Sequence, residues 1–166
     1  MPYSQAERES LIRRYEEGPA KLQAALAKIP LEALKWRPAE GKWSVHEVIC
    51  HCADSETNAA ARIRYLVAEE KPTILGYDQE HWARVLDYHA APLPPALATV
   101  EAVRANTAQL LRRLPEAVWS KSGRHTESGS FSGEDWLTMY AEHLEKHARQ
   151  IERNLEAWRA EETKPK

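Results

Sequence analysis

The stretch "AEHLEKHARQIERN", Ala141 to Asn154, puts two histidines, His143 and His147, four residues apart in a segment with helical periodicity. Residues four apart on a helix are neighbours on one face. Both fall on the stripe formed by Trp136, Tyr140, Leu144, Ile151, Leu155 and Trp158, the side that should face the interior. Two imidazoles so placed can turn their nitrogens toward one metal ion, but an open catalytic site normally has a third protein ligand. The best third is His51, in "GKWSVHEVICHCADSETN", beside the apolar stripe Val45, Val48, Cys52, Ala59 and Ile63. Cys50 and Cys52 are poor companions to it, because consecutive helix residues diverge by ~100° and the three cannot reach one ion. Spacing alone leaves open that these are hydrogen-bonded core histidines.

Three neutral imidazoles would leave a divalent ion its full charge and at least one open position. A water there would have a pKa near ~7 on zinc, and the same position could polarise a carbonyl or bind a thiolate. The donor set suits zinc or nickel, and also iron or copper. The late pair is not the zincin motif: it reads H-L-E-K-H, and Glu145 projects ~200° away from His143. Asp54, Asn58, Gln150 and Asn154 lie on the faces of the three histidines and are candidates to orient them. Asp54 is the one candidate catalytic acid or base, since Glu142 and Glu145 face away. His46, His81, His89 and His125 sit near helix starts or loops and read as surface residues. Trp43 suits a staple before the Ser44 cap, Trp136 and Trp158 suit the core, and Trp82 suits a loop anchor.

Positioning these groups falls to four long amphipathic segments. The first runs from Ser4 to about Ile29, with a kink or break expected at Gly18-Pro19. The second runs from Ser44, with Glu47 as its capping-box partner, to about Glu69. The third spans about Pro95 to Leu114, and the last begins near Ser132 and ends near Arg159. Tyr77 to His89 reads as a short helix inside a long connection, and "WSKSGRHTESGSFSGED" as a turn-rich stretch able to form a small hairpin. Four such stripes are buried most economically as an all-α four-helix bundle, in a single domain covering residues 1–166.

Composition narrows the function classes. With 23 basic and 25 acidic residues the formal charge is −2, so no basic surface points to nucleic acid. The polar start "MPYSQAERES" has no apolar core of a signal sequence, and no stretch approaches 18 apolar residues, so a membrane role is not expected. Cys50 and Cys52 diverge on their helix, so a mutual disulfide is not expected and a cytoplasmic home is the simplest.

The blocks "GKWSVHEVICHCADSETN", "RIRYLVAEEKPTILGYDQEHW" and "HLEKHARQIERN", in this order and spacing, resemble the DinB-like superfamily, and within it the YfiT-like metal-dependent hydrolase subgroup. The resemblance covers nearly the whole chain. It implies a four-helix bundle wound up-down-down-up, a divalent metal held by three histidines that match His51, His143 and His147, and a homodimer. It also implies a small-molecule substrate. The activity expected is hydrolysis of a small amide or ester. The alternatives are transfer of a low-molecular-weight thiol, with Arg62 or Arg153 holding the anionic thiol cofactor, and a non-catalytic metal-binding bundle closed by a fourth ligand.

Overall fold

Three capping boxes start helices of the bundle. The side chains of Ser4, Ser44 and Ser132 each accept from the backbone N–H three residues on, and Glu7, Glu47 and Asp135 reach back to the cap. Each box satisfies two backbone donors that a helix start otherwise leaves free. The computed structural model describes residues 3–164. In chain order it contains α1 (Gln5–Leu26), α2 (Leu31–Leu34), α3 (Val45–Ala68), β1 (Thr73–Ile74), α4 (Gln79–Val85), α5 (Leu93–Leu111), α6 (Glu116–Trp119), β2 (Ser122–His125), β3 (Gly129–Ser132), α7 (Gly133–Ala141) and α8 (His143–Glu162).

The directions of the long helices follow from their cross-links. Arg14 and Lys21 of α1 meet Glu145, and Lys28 meets Glu152, so α1 and α8 run parallel. Glu56 meets Arg104 and Arg64 meets Asn106, so α3 and α5 also run parallel. Gln23 against Glu101 and Glu16 against Arg112 make α1 and α5 antiparallel. The winding is therefore up-down-down-up, as the resemblance implies. Parallel α3 and α5 need a full-length crossover, and residues 69–92 supply it, with β1 and α4 on the way. β1 pairs in parallel with β2, which forms an antiparallel hairpin with β3, closing the end of the bundle. The expected hairpin and short helix are thus present; α2, α6 and β1 carry too little periodicity to be read in advance.

The core falls into two main clusters. Tyr15, Ile63, Leu66, Leu111, Trp136 and Leu137 fill the end near the hairpin. Leu22, Val48, Cys52, Val100, Leu144 and Ile151 fill the other. Between them sits a charged pair, Arg104 and Glu56, both 0% exposed. Arg104 Nε donates to Glu56 Oε2 at 2.8 Å and Nη2 to Oε1 at 2.7 Å, a fork that matches the carboxylate.

Arg104 accounts for two departures from the sequence reading. The first helix is not broken at Gly18-Pro19: α1 continues through Pro19. Proline lacks the N–H that would bond the carbonyl four residues back, and Arg104 Nη1 donates to that carbonyl, on Tyr15. Gly18 leaves room for it, since a Cβ there would lie 2.6 Å from Nη1. Conversely, the last helix is not continuous: it divides at Glu142 into α7 and α8. There the Tyr140 carbonyl accepts from the Glu142 N–H and, at 2.9 Å, from Arg104 Nη2. A side-chain donor entering the backbone ladder is a recognised cause of helix interruption. Boundaries also shift at α5, which starts at Leu93 with prolines in its first turn and stops at Leu111.

Cys50 and Cys52 are free and buried, as their divergence implied. Among the described residues no helix is long and apolar enough to cross a membrane.

Candidate metal centre

The antiparallel packing of α3 on α8 brings His51 to His143 and His147. One ring nitrogen from each of the three lies within 4.8 Å of the others. His51 comes from near the start of the most buried helix and is 1% exposed, while the other two rings are partly covered in the first turns of α8. The break at Glu142 lets His143 open a new helix, so the height of the pair against α3 is set where Arg104 holds the Tyr140 carbonyl.

Each imidazole is held by a different neighbour. His143 Nδ1 donates to Glu56 Oε1 at 2.9 Å, and His147 Nδ1 donates to Gln150 Oε1 at 2.9 Å. In the neutral rings, with both Nδ1 atoms protonated, the two Nε2 atoms carry lone pairs, and these face each other at 3.2 Å. The Ser55 hydroxyl also lies beside them, 3.3 Å from His143 Nε2. His51 is held by packing: the Trp43 ring lies over it with centroids 4.7 Å apart. Trp43 is fixed in turn by Asn154, whose Nδ2 donates to its carbonyl at 2.9 Å, and by Glu80, which accepts from its indole at 3.1 Å.

Electrostatics disfavour charge on His51 and His147. Burial first, then the neighbouring His147 and His143, pushes the pKa of His51 down to about 2. Burial and His143 lower that of His147 to about 4. Glu56 stays ionised: burial works against its charge, but Arg104 and the hydrogen bonds from His143 and Arg104 outweigh it and hold the pKa at about 2. The result is two imidazoles held neutral beside a third, His143, that is hydrogen-bonded to one buried carboxylate.

Those donors fit a divalent cation. Two ligands on one edge of a tetrahedral zinc site, at ~2.0–2.1 Å from the ion, stand about 3.3–3.4 Å apart, close to the separation of the two Nε2 atoms. Facing lone pairs without a proton between them repel, and a cation removes the repulsion. His51 Nδ1 is buried without a hydrogen-bond partner, rare for a purely structural group. A histidine ligand whose second N–H goes to a carboxylate is a common arrangement in metal sites, and His143 with Glu56 has that form.

The remaining sequence candidates sort by contact. Gln150 does orient His147, and Asn154 acts one step removed, through Trp43. Asn58 instead donates to the Asp54 backbone within its own helix. Asp54 accepts a hydrogen bond from the Tyr88 hydroxyl. Glu145, one residue past the zincin position, is drawn away by Arg14 at 2.6 Å and Lys21 at 2.7 Å. Two of the histidines read as surface residues are buried: His46 bonds the Ala91 carbonyl at 2.6 Å, and His125 Nδ1 accepts from the turn N–H groups of Glu127 and Ser128. Backbone groups left free by tight turns recruit those rings, which spacing could not reveal. Trp43 packs on a histidine rather than serving only as a staple, and Trp82 stacks on Tyr77. Glu56 was absent from the sequence candidates, although it touches the site most directly.

A family model for the DinB superfamily matches residues 14–151. A relative from Oceanobacillus iheyensis, provisionally named a metal-dependent hydrolase, is 34% identical over 140 residues, which cover 84% of this chain and 81% of the relative. Among solved structures, YfiT from Bacillus subtilis is described as a probable metal-dependent hydrolase with an unusual four-helix bundle topology. It superposes with a TM-score of 0.85 at 27% identity, over 92% of this chain and 88% of that one. A mycothiol-dependent maleylpyruvate isomerase shares the fold at a TM-score of 0.70 and 14% identity, over 87% of this chain and 60% of that one. With its bundle, its winding and its matched length, the chain belongs to the DinB superfamily, among the YfiT-like proteins.

Proposed function

We propose that the chain is a metal-dependent hydrolase of small amides or esters, with a divalent ion held by His51, His143 and His147. The observation that supports this best is the convergence of the Nε2 atoms of His143 and His147 at 3.2 Å while both Nδ1 atoms are already committed. A divalent ion there supplies Lewis acidity and makes water acidic near neutral pH. Zinc or nickel suits the uncharged nitrogen donors. The protein's own residues supply the rest. Glu56 fixes the tautomer of His143 and offsets the positive charge, Gln150 does the first of these for His147, and Trp43 shields His51. Asp54 is assigned to proton transfer, because Glu56 is already shared between His143 and Arg104.

One contact favours hydrolysis over thiol transfer. Arg62, a candidate anchor for an anionic thiol, already donates to the Tyr140 hydroxyl at 2.7 Å and to the Leu75 carbonyl, and Arg153 is exposed on α8. A closed, non-catalytic site would need a fourth ligand, and the cluster found among the described residues has three members. The names of the sequence relatives point the same way.

The test uses untagged protein stripped with a chelator and reloaded with one equivalent of zinc or nickel. Small aryl esters and anilides are assayed with and without a low-molecular-weight thiol. Turnover that returns with metal and needs no thiol is expected. Turnover that requires the thiol would replace the hydrolase reading with a transferase. Metal binding without turnover of any substrate would leave a binding bundle.

A further inference from the structure

The loop between β1 and α4 carries a phenol that no group among the described residues uses. The Tyr77 hydroxyl is buried and without a hydrogen-bond partner, a state that asks for an explanation in a native fold. It faces the hydroxyl of Ser55, short of hydrogen-bond geometry. Ser55 stands one turn after His51 on α3, and its own oxygen is 3.3 Å from His143 Nε2, the nitrogen turned toward the metal position. The phenol therefore ends beside the triad, on the side where Ser55 lies.

Its position is built from several elements. Trp82 of α4 packs on the Tyr77 ring with centroids 4.4 Å apart, and the Arg62 guanidinium sits 5.7 Å from the ring centre. Arg62 also ties down the loop through the Leu75 carbonyl. The other phenol near His143, Tyr140, is not free in the same way, since its oxygen accepts from Arg62. Burial raises the Tyr77 pKa to about 12, so the group is a protonated donor at neutral pH.

We propose that the Tyr77 hydroxyl donates a hydrogen bond to the carbonyl oxygen of a small amide or ester bound at the triad, holding that oxygen as negative charge develops on it. The inference rests on the hydrolase reading and names the feature of the substrate that the site recognises. The phenol keeps its proton throughout and forms no covalent bond. A fixed donor aimed at developing charge in a site shielded from water acts without having to reorganise at the moment of reaction. A thiolate sulfur would use such a donor poorly, whereas a carbonyl oxygen fits it.

Absorption titrations of the cobalt(II)-loaded protein separate the possibilities. Acetohydroxamate offers oxygen acceptors beside the metal, and imidazole binds metal through nitrogen without one. Tyr77→Phe, which keeps the ring against Trp82, is expected to weaken acetohydroxamate by about 10- to 100-fold, the range for a hydrogen bond to a charged group. Imidazole should change by less than about twofold, within the range of surface substitutions. Equal acetohydroxamate affinity in the two proteins would overturn the Tyr77 assignment and leave the metal site standing. An equal loss for both ligands would overturn it as well, by showing general damage to the site. If cobalt-loaded wild type responded to neither ligand, the open-site reading would fall and the Tyr77 assignment with it.

Discussion

His147→Ala is expected to leave the purified protein essentially free of metal, where wild type holds about one equivalent, and to raise the dissociation constant on the order of 100- to 1,000-fold. The magnitude follows if a binding free energy of ~10–16 kcal/mol is spread over the ligands, so that each contributes several kcal/mol. Elemental analysis by mass spectrometry gives the content, and chelator competition the affinity. A second readout fixes the sign. A core histidine cut to alanine loses packing and lowers stability. A ligand whose lone pair faces that of His143 at 3.2 Å relieves a repulsion when it is removed. Metal-free His147→Ala should therefore unfold within about 0.5 kcal/mol of metal-free wild type, or above it. A fall of several kcal/mol without metal, or an unchanged metal content, would make His147 a structural residue and remove the basis for a metal enzyme.

The three clustered histidines were legible in part because their chemistry and their geometry coincide. His143 and His147 stand four apart on an apolar stripe, and His51 lies beside another, so helix periodicity nominates all three, while their convergence was expected partly from the family resemblance. Glu56 escaped because it is five residues from His51, well round the helix, and it serves the histidine of the opposite helix. Its partner did leave a trace. Arg104 stands four after Val100 and three before Thr107, on the apolar stripe of α5, where a charge must have a buried partner. Taking that charge as a signal would have predicted an acid on a facing helix. The same residue explains the break that does not appear and the one that was not foreseen. The Gly18-Pro19 break fails to appear because Arg104 replaces the missing donor, and the unforeseen break at Glu142 carries no Gly or Pro because its cause comes from another helix. Local sequence encodes breakers; it does not encode a guanidinium arriving from 89 residues away.

Arg104→Met, which keeps much of the side-chain volume, is expected to lower the unfolding free energy of the metal-free protein by about 3–5 kcal/mol. That is the usual loss when one partner of a buried ion pair is removed. For a domain of this size it corresponds to a fall of roughly 6–20 °C in Tm. Glu56 would remain fully buried with His143 as its last strong partner, and the carbonyls of Tyr15 and Tyr140 would lose their side-chain donor. The site should weaken too, by about 10- to 100-fold in metal affinity, since the carboxylate that orients His143 is no longer anchored. Thermal and urea unfolding measure the first effect and chelator competition the second. A double substitution separates this network from simple core damage. Pro19→Ala returns an N–H to the helix at the place where it can reach the Tyr15 carbonyl. In wild type that carbonyl already has Arg104, so the change should be nearly neutral. In the Arg104→Met background it should restore about 1–3 kcal/mol, the penalty of the acceptor it satisfies. The two substitutions should therefore couple favourably. Additive effects would mean that Arg104 does not stand in for the hydrogen bond that Pro19 lacks. The continuity of α1 through Pro19 would then have some other cause, while the link from Arg104 through Glu56 to His143 would still be judged by the loss of metal affinity.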